Sequence, residues 1–151
     1  MKKQKVLVMF AFVLMFAFVL GAGFSRMMAQ QKPAPGGFIV EHDADIARNE
    51  PGTHNGGGMT TGYSFFSKVP KLSLVFRKRA FHPGSGIGYH VQTEDEIYYV
   101  LSGKGEMTAD GRKFEVGPGT AVLTRTGSSH GLKQVGNEDL VILINYEQAV
   151  K

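Results

Sequence analysis

The chain contains no cysteine. It therefore has neither disulfides nor a lipid-modified N-terminal Cys, and its stability has to come from packing. Sustained helical patterning is also missing. Nowhere after residue 30 does a 3.6-residue apolar period last three turns, which argues against a helical domain. Excess charge is missing as well, despite a formal net charge of +4 and a pI near 9.4. Of the 17 basic residues, Lys2, Lys3, Lys5 and Arg26 fall in the first 29 positions, which hold no acidic residue. That leaves 13 basic residues against 13 acidic ones. With no basic run and no aromatic-basic interleaving, the sequence gives no reason to expect a nucleic-acid partner.

The first 29 residues are set apart by composition. Lys2, Lys3 and Lys5 form a basic start, Val6 to Gly23 is a run of apolar residues and glycine, and Ala29 precedes the polar Gln30-Gln31-Lys32-Pro33. This predicts an export signal cut after Ala29, and hence a periplasmic or extracellular protein. The apolar run is longer than the usual ~7–15-residue signal core and reaches the ~18 at which a membrane span becomes plausible, so an uncleaved anchor is the rival reading. The working domain lies outside the cytoplasmic membrane in both cases, and a membrane is a partner only in the second.

At 151 residues the chain has room for one domain with a hydrophobic core. Residues 30–62 read as an irregular N-terminal arm, broken by Pro33-Ala34-Pro35-Gly36-Gly37 and by Glu50-Pro51-Gly52 through Gly58, with one short strand at Phe38–Glu41. From Tyr63 to Lys151 the texture changes to short alternating runs divided by turns. Strands are predicted at Leu72–Ala80, Ile87–Val91, Glu96–Ser102, Gly105–Thr108, Lys113–Val116, Ala121–Thr124, Gly131–Val135 and Leu140–Tyr146. Asp110-Gly111 predicts a two-residue hairpin, and Gly117-Pro118-Gly119 a corner. The fold class is all-β.

Four side chains of ligand type stand out: His90, Gln92, Glu96 and His130. His90 and Gln92 are two residues apart, so a strand turns both to one face, and Glu96, Tyr98 and Val100 share a parity in the same way. Two imidazoles, a carboxylate and a carboxamide oxygen suit a first-row transition metal better than calcium or magnesium. Tyr98 is a hydrogen-bond donor or weak acid if it reaches the cavity, and core filling if it does not. Arg77 and Arg79 would clamp a carboxylate if they faced inward; the alternation with Leu72, Leu74 and Phe76 predicts that they face solvent. His42 and His82 read as surface or strand-end residues. His54 reads as an exposed histidine in a glycine-rich loop able to fold over a barrel mouth. Gly84, Gly86 and Gly88 read as turn residues.

These positions carry a resemblance to the cupin superfamily, small β-barrels of jelly-roll type. The family's first motif, G-x5-H-x-H-x3–4-E-x6-G, matches Gly84 to Gly103, with Gln92 in place of the second histidine. Its second, G-x5-P-x-G-x2-H-x3-N, maps onto Gly119, Arg125, Gly127, His130 and Gln134, with Arg125 for the proline and Gln134 for the asparagine. The resemblance runs from Leu72 to Tyr146. It implies a jelly-roll β-barrel of antiparallel strands in which His90, Glu96 and His130, with Gln92 as a doubtful fourth, hold iron, manganese, nickel, zinc or copper. It also implies a small-molecule ligand and a homodimer paired through sheet edges. Glu96 and Tyr98 are the catalytic candidates for dioxygenase- or isomerase-type chemistry on a small oxygen-rich molecule. A non-catalytic module that captures a small ligand or a metal is the alternative.

Overall fold

In a computed structural model, residues 36–149 are described; the predicted export segment lies outside them. Ten strands follow a short helical turn, α1 (Asp43–Ile46): β1 (Ala47–Pro51), β2 (Met59–Phe65), β3 (Leu74–Phe81), β4 (Gly86–Val91), β5 (Glu96–Ser102), β6 (Lys104–Ala109), β7 (Arg112–Val116), β8 (Ala121–Thr124), β9 (Ser129–Val135) and β10 (Leu140–Glu147). One sheet has the order β1-β2-β3-β10-β5-β8 and the other β4-β9-β6-β7. Every pairing is antiparallel. This is a cupin-like jelly roll.

The predicted hairpin forms as the turn chemistry requires. Asp110 and Gly111 both have positive φ, 45° and 77°, the combination that matches the twist of two paired strands. It sets Met107 opposite Phe114. The core lies between the inward faces of the two sheets, with Phe81, Val100, Met107, Leu132, Leu140 and Ile142 almost wholly buried. Burying such side chains contributes about 1.5–3 kcal/mol each, enough to hold a barrel without disulfides.

Three local expectations change. Phe38–Glu41 forms no strand, and Ile39 and Val40 are exposed. The stretch read as an irregular arm supplies β1 and most of β2 to the larger sheet. The third change is the orientation of β3. Arg79 is 2% exposed whereas Leu74 is 49% exposed, the reverse of the predicted facing. Register gives the reason: Arg79 lies beside Ile142, which lies beside Val100, and Arg77 lies beside Ile144, then Tyr98. Those neighbours form the inward face, so the two arginines share it. The outer face is partly covered by other means. Phe76 packs on Phe65, and the Lys78 ammonium sits 4.1 Å above the Tyr63 ring and pairs with Asp43.

Candidate functional site

His90 on β4 and His130 on β9 are direct register partners. A bulge between Ile87 and His90 shifts the pairing, so that both Ile87 and His90 turn inward. Gln92 follows the end of β4 and keeps the facing of His90. Its backbone is tied to the loop before His130 by bonds to Ser128 and Gly127, 2.8 and 2.9 Å long. Glu96 and Tyr98 enter from β5, on the other sheet.

A cavity of about 410 Å³ is lined by His54, His90, Gln92, Glu96, Tyr98, Arg77 and Arg79 among others. His130 does not reach its surface. It is fully enclosed, with Nδ1 2.8 Å from Thr124 Oγ1 and Nε2 3.1 Å from Tyr98 Oη and 3.3 Å from Glu96 Oε2. The His90 and His130 rings stand at 88° with centroids 4.7 Å apart. Two imidazoles bound cis to one ion at ~2.1 Å would place their centroids roughly 4.6 Å apart.

Electrostatics favour a cation at this point. Burial, with His90 and His54 nearby, pushes His130 down to about 4, so its imidazole is neutral at neutral pH. Burial raises Glu96, and an entering cation would favour its charged form. Tyr98 is raised well above its ordinary value by burial and by Glu96, which makes it a lasting hydrogen-bond donor rather than a base. The His90 Nδ1 lies 2.9 Å from the Gly88 carbonyl; donating there leaves Nε2 with the lone pair. When His130 donates Nδ1–H to Thr124, its Nε2 keeps its lone pair, which accepts from Tyr98 Oη 3.1 Å away until an ion displaces that bond. The donor types and their protonation thus fit a divalent transition ion. The ligand shell is not gathered, however: no three His, Asp or Glu side chains among the described residues form a metal-holding group.

Several residues of the site were not expected from the sequence. The 3-10 turn Thr53–Asn55 lays His54 against His90 instead of leaving it loose, although His54 stays exposed on its outer side. The Gly86 and Gly88 alternation was a signal for this. Neither is a turn residue: a Cβ on Gly88 would collide with the His54 carbonyl, and a Cβ on Gly56 would collide with that of Gly86. Glu50 of β1 reaches Arg79 Nη2 at 2.7 Å and Arg77 Nη2 at 3.3 Å. The Nε and Nη1 of Arg79 and the Nε of Arg77 are buried without a hydrogen-bond partner among the described residues. Other candidates are structural. His82 bridges Asp139 and Thr61, Arg125 pairs with Asp95 at 2.7 Å, and Gln134 binds the Gly84 N–H and the carbonyls of Gly136 and Glu138.

A family model described as "Cupin domain" matches residues 78–146, the segment that contributes His90, Gln92, Glu96 and His130. The barrel is a cupin domain. An oxalate-binding protein of Thermotoga maritima is 36% identical over 70 residues, 46% of this chain and 58% of that protein. An uncharacterised Methanocaldococcus jannaschii protein is 43% identical over 51 residues, 34% of this chain and 41% of its own. The matches thus span less than two thirds of either curated relative. A Thermotoga maritima crystal structure, described as a predicted oxalate decarboxylase, shares 26% identity with a TM-score of 0.67. It covers 74% of this chain and 100% of that one. The cupin's larger sheet includes β1 and β2, which lie before the matched segment.

Proposed function

We propose that this cupin is exported and binds a divalent transition metal through His90, Glu96 and His130, with Gln92 as a weaker fourth donor. In this reading it acts on a small oxygen-rich molecule held in the 410 Å³ cavity, by dioxygenase- or isomerase-type chemistry. The observation that carries the proposal is the pairing of His90 with His130 in register, with Glu96 Oε2 3.3 Å from His130 Nε2. When bound, such an ion polarises a coordinated oxygen or activates it for attack. The chain's own groups do the rest. Tyr98 Oη donates to an oxygen of the bound molecule, Glu96 takes or returns a proton at its carboxylate, and Gln92 fixes orientation through its amide. The relative named as oxalate-binding supports a small carboxylic acid as one form of that molecule.

The test is elemental analysis of the full chain purified without added metal, followed by turnover screening. About one transition ion per chain, lost in His130→Ala together with turnover, is the expected result. Turnover that persists in metal-free protein sinks the mechanism. A non-catalytic binding module is the second reading, favoured by the enclosure of His130 and by the ungathered ligands. Ligand binding without any turnover decides for it. The composition of residues 1–29 supports export, which cell fractionation checks. We also propose a homodimer; a monomer in light scattering overturns it.

A further inference from the structure

We propose that Arg79, with Arg77 beside it, forms a carboxylate-binding pole on the cavity wall made by the larger sheet, so that the molecule taken into the barrel carries a carboxylate. This rests on the proposed function only in using the same cavity. Arg79 is 2% exposed, yet a single one of its three guanidinium nitrogens, Nη2, is engaged, by Glu50 Oε2 at 2.7 Å. Both arginines border the cavity, and Arg79 Nε and Nη1 and Arg77 Nε are buried with no hydrogen-bond partner among the described residues. Buried charged donors are ordinarily paired and hydrogen-bonded, so three unpartnered nitrogens on two arginines of one strand face point to an acceptor brought in from outside.

Charge points the same way. Glu50 is the one carboxylate bonded to the pair, and it serves both guanidinium groups, leaving one positive charge over. Glu94 and Glu96 also line the cavity, but neither is hydrogen-bonded to the two arginines: Glu94 is bonded at the rim by Thr93, and Glu96 lies 3.3 Å from His130. The arrangement around Glu50 also keeps the arginines from being satisfied within the protein. Gly62 is the register partner of Arg79, and a Cβ there would collide with Glu50 Oε1. The missing side chain lets the Glu50 carboxylate sit over Gly62 and hold Arg79 by one nitrogen, which leaves the other two unpartnered. A planar carboxylate offers two oxygens with in-plane lone pairs, which suits guanidinium N–H groups better than a neutral hydroxyl does.

The experiment titrates the full chain calorimetrically with malonate, its neutral isostere malonamide, and inorganic phosphate, with and without bound metal. Malonate should bind at least ten-fold more tightly than malonamide, and Arg79→Gln should erase that preference while elemental analysis shows unchanged metal content. Arg79→Lys should restore part of it. Equal binding of malonate and malonamide to the unaltered chain overturns the proposal without any variant. So does an unchanged malonate affinity in a folded Arg79→Gln protein, and phosphate binding tighter than malonate overturns the carboxylate class. Malonate binding that depends on Arg79 in a protein that never holds metal supports this pole and removes the metal reading alone.

Discussion

The imidazoles of His54 and His90 lie stacked, 4° from parallel with centroids 3.5 Å apart. One comes from a loop ahead of the family's motifs and the other from the first motif itself. The stack caps one face of His90, whose Nδ1 is already committed to Gly88. His54 is exposed on its other side and has left-handed backbone, φ 51° and ψ 39°.

His54→Ala should therefore change access more than stability. Loss of an exposed ring costs less than about 1 kcal/mol, because no buried polar group is orphaned. Carbethoxylation of His90, followed by peptide mass mapping, should become several-fold faster. An unchanged rate would mean that the stack does not shield the ring.

Gly88→Ala should destabilise the protein by roughly 1–3 kcal/mol, since the new methyl meets a backbone carbonyl that cannot swing aside. Gly111→Ala tests a different cost. It has φ 77° and open space around it, so about 1 kcal/mol of backbone strain is expected and no collision. Chemical denaturation of the two variants separates the effects: the first should also loosen His54, and the second should not touch the cavity.

Eight strands could be read from alternation and turn residues, with ends within two positions of those observed, because one side of each alternates regularly between turn signals. β1 and β2 could not. On β2 the inward positions are Thr60, fully buried and bonded to the Glu50 carbonyl, and Gly62, whose side-chain space Glu50 fills. A strand that faces a buried ion pair rather than a core has no hydrophobic alternation to find. The same pair explains the misread facing of β3: apolar residues were assigned inward where the cavity takes guanidinium groups. His90, Gln92, Glu96 and Tyr98 were legible because strand parity carries straight into the cavity. Glu50 was not, and His54 was legible only as an exposed histidine in a loop able to fold over a barrel mouth, since nothing in local spacing announces a contact made across 36 or 29 positions.

Acid should weaken the β6–β7 ribbon through Glu106. Its carboxylate bonds Lys113 Nζ at 2.7 Å, and that ammonium holds it below its ordinary value. A depressed folded value means that the unfolded chain takes up the proton first. The pair's contribution is thus present above the unfolded value and fades as pH falls through the folded one. Both groups are solvent-facing, so the effect is small and screened by salt. Melting temperatures of Glu106→Gln and the unaltered chain should differ slightly near about pH 7 at low salt and converge near about pH 3. Divergence on acidification would contradict the assignment.

Gln92 is the point where this chain departs from its family's first motif, and Thr124 is what orients the enclosed histidine. A carboxamide oxygen is a neutral and weaker donor than imidazole, so Gln92→His should tighten metal binding, by about ten-fold or more in competition with a chelator. Thr124→Val should do the opposite. Without the hydroxyl 2.8 Å from Nδ1, the His130 tautomer with its lone pair on Nε2 loses its orienting partner on the far side of the ring, and partners of this kind are typically worth about 10–100-fold in affinity. Gln92 follows the end of β4 and would act as a donor itself, whereas Thr124 lies on β8 and acts through His130, so in the double variant the changes should add in free energy. Affinity that ignores Thr124 while responding to Gln92 would place the ion on His90 and Glu96 without His130. The enclosed imidazole would then be a structural link between Thr124 and Tyr98.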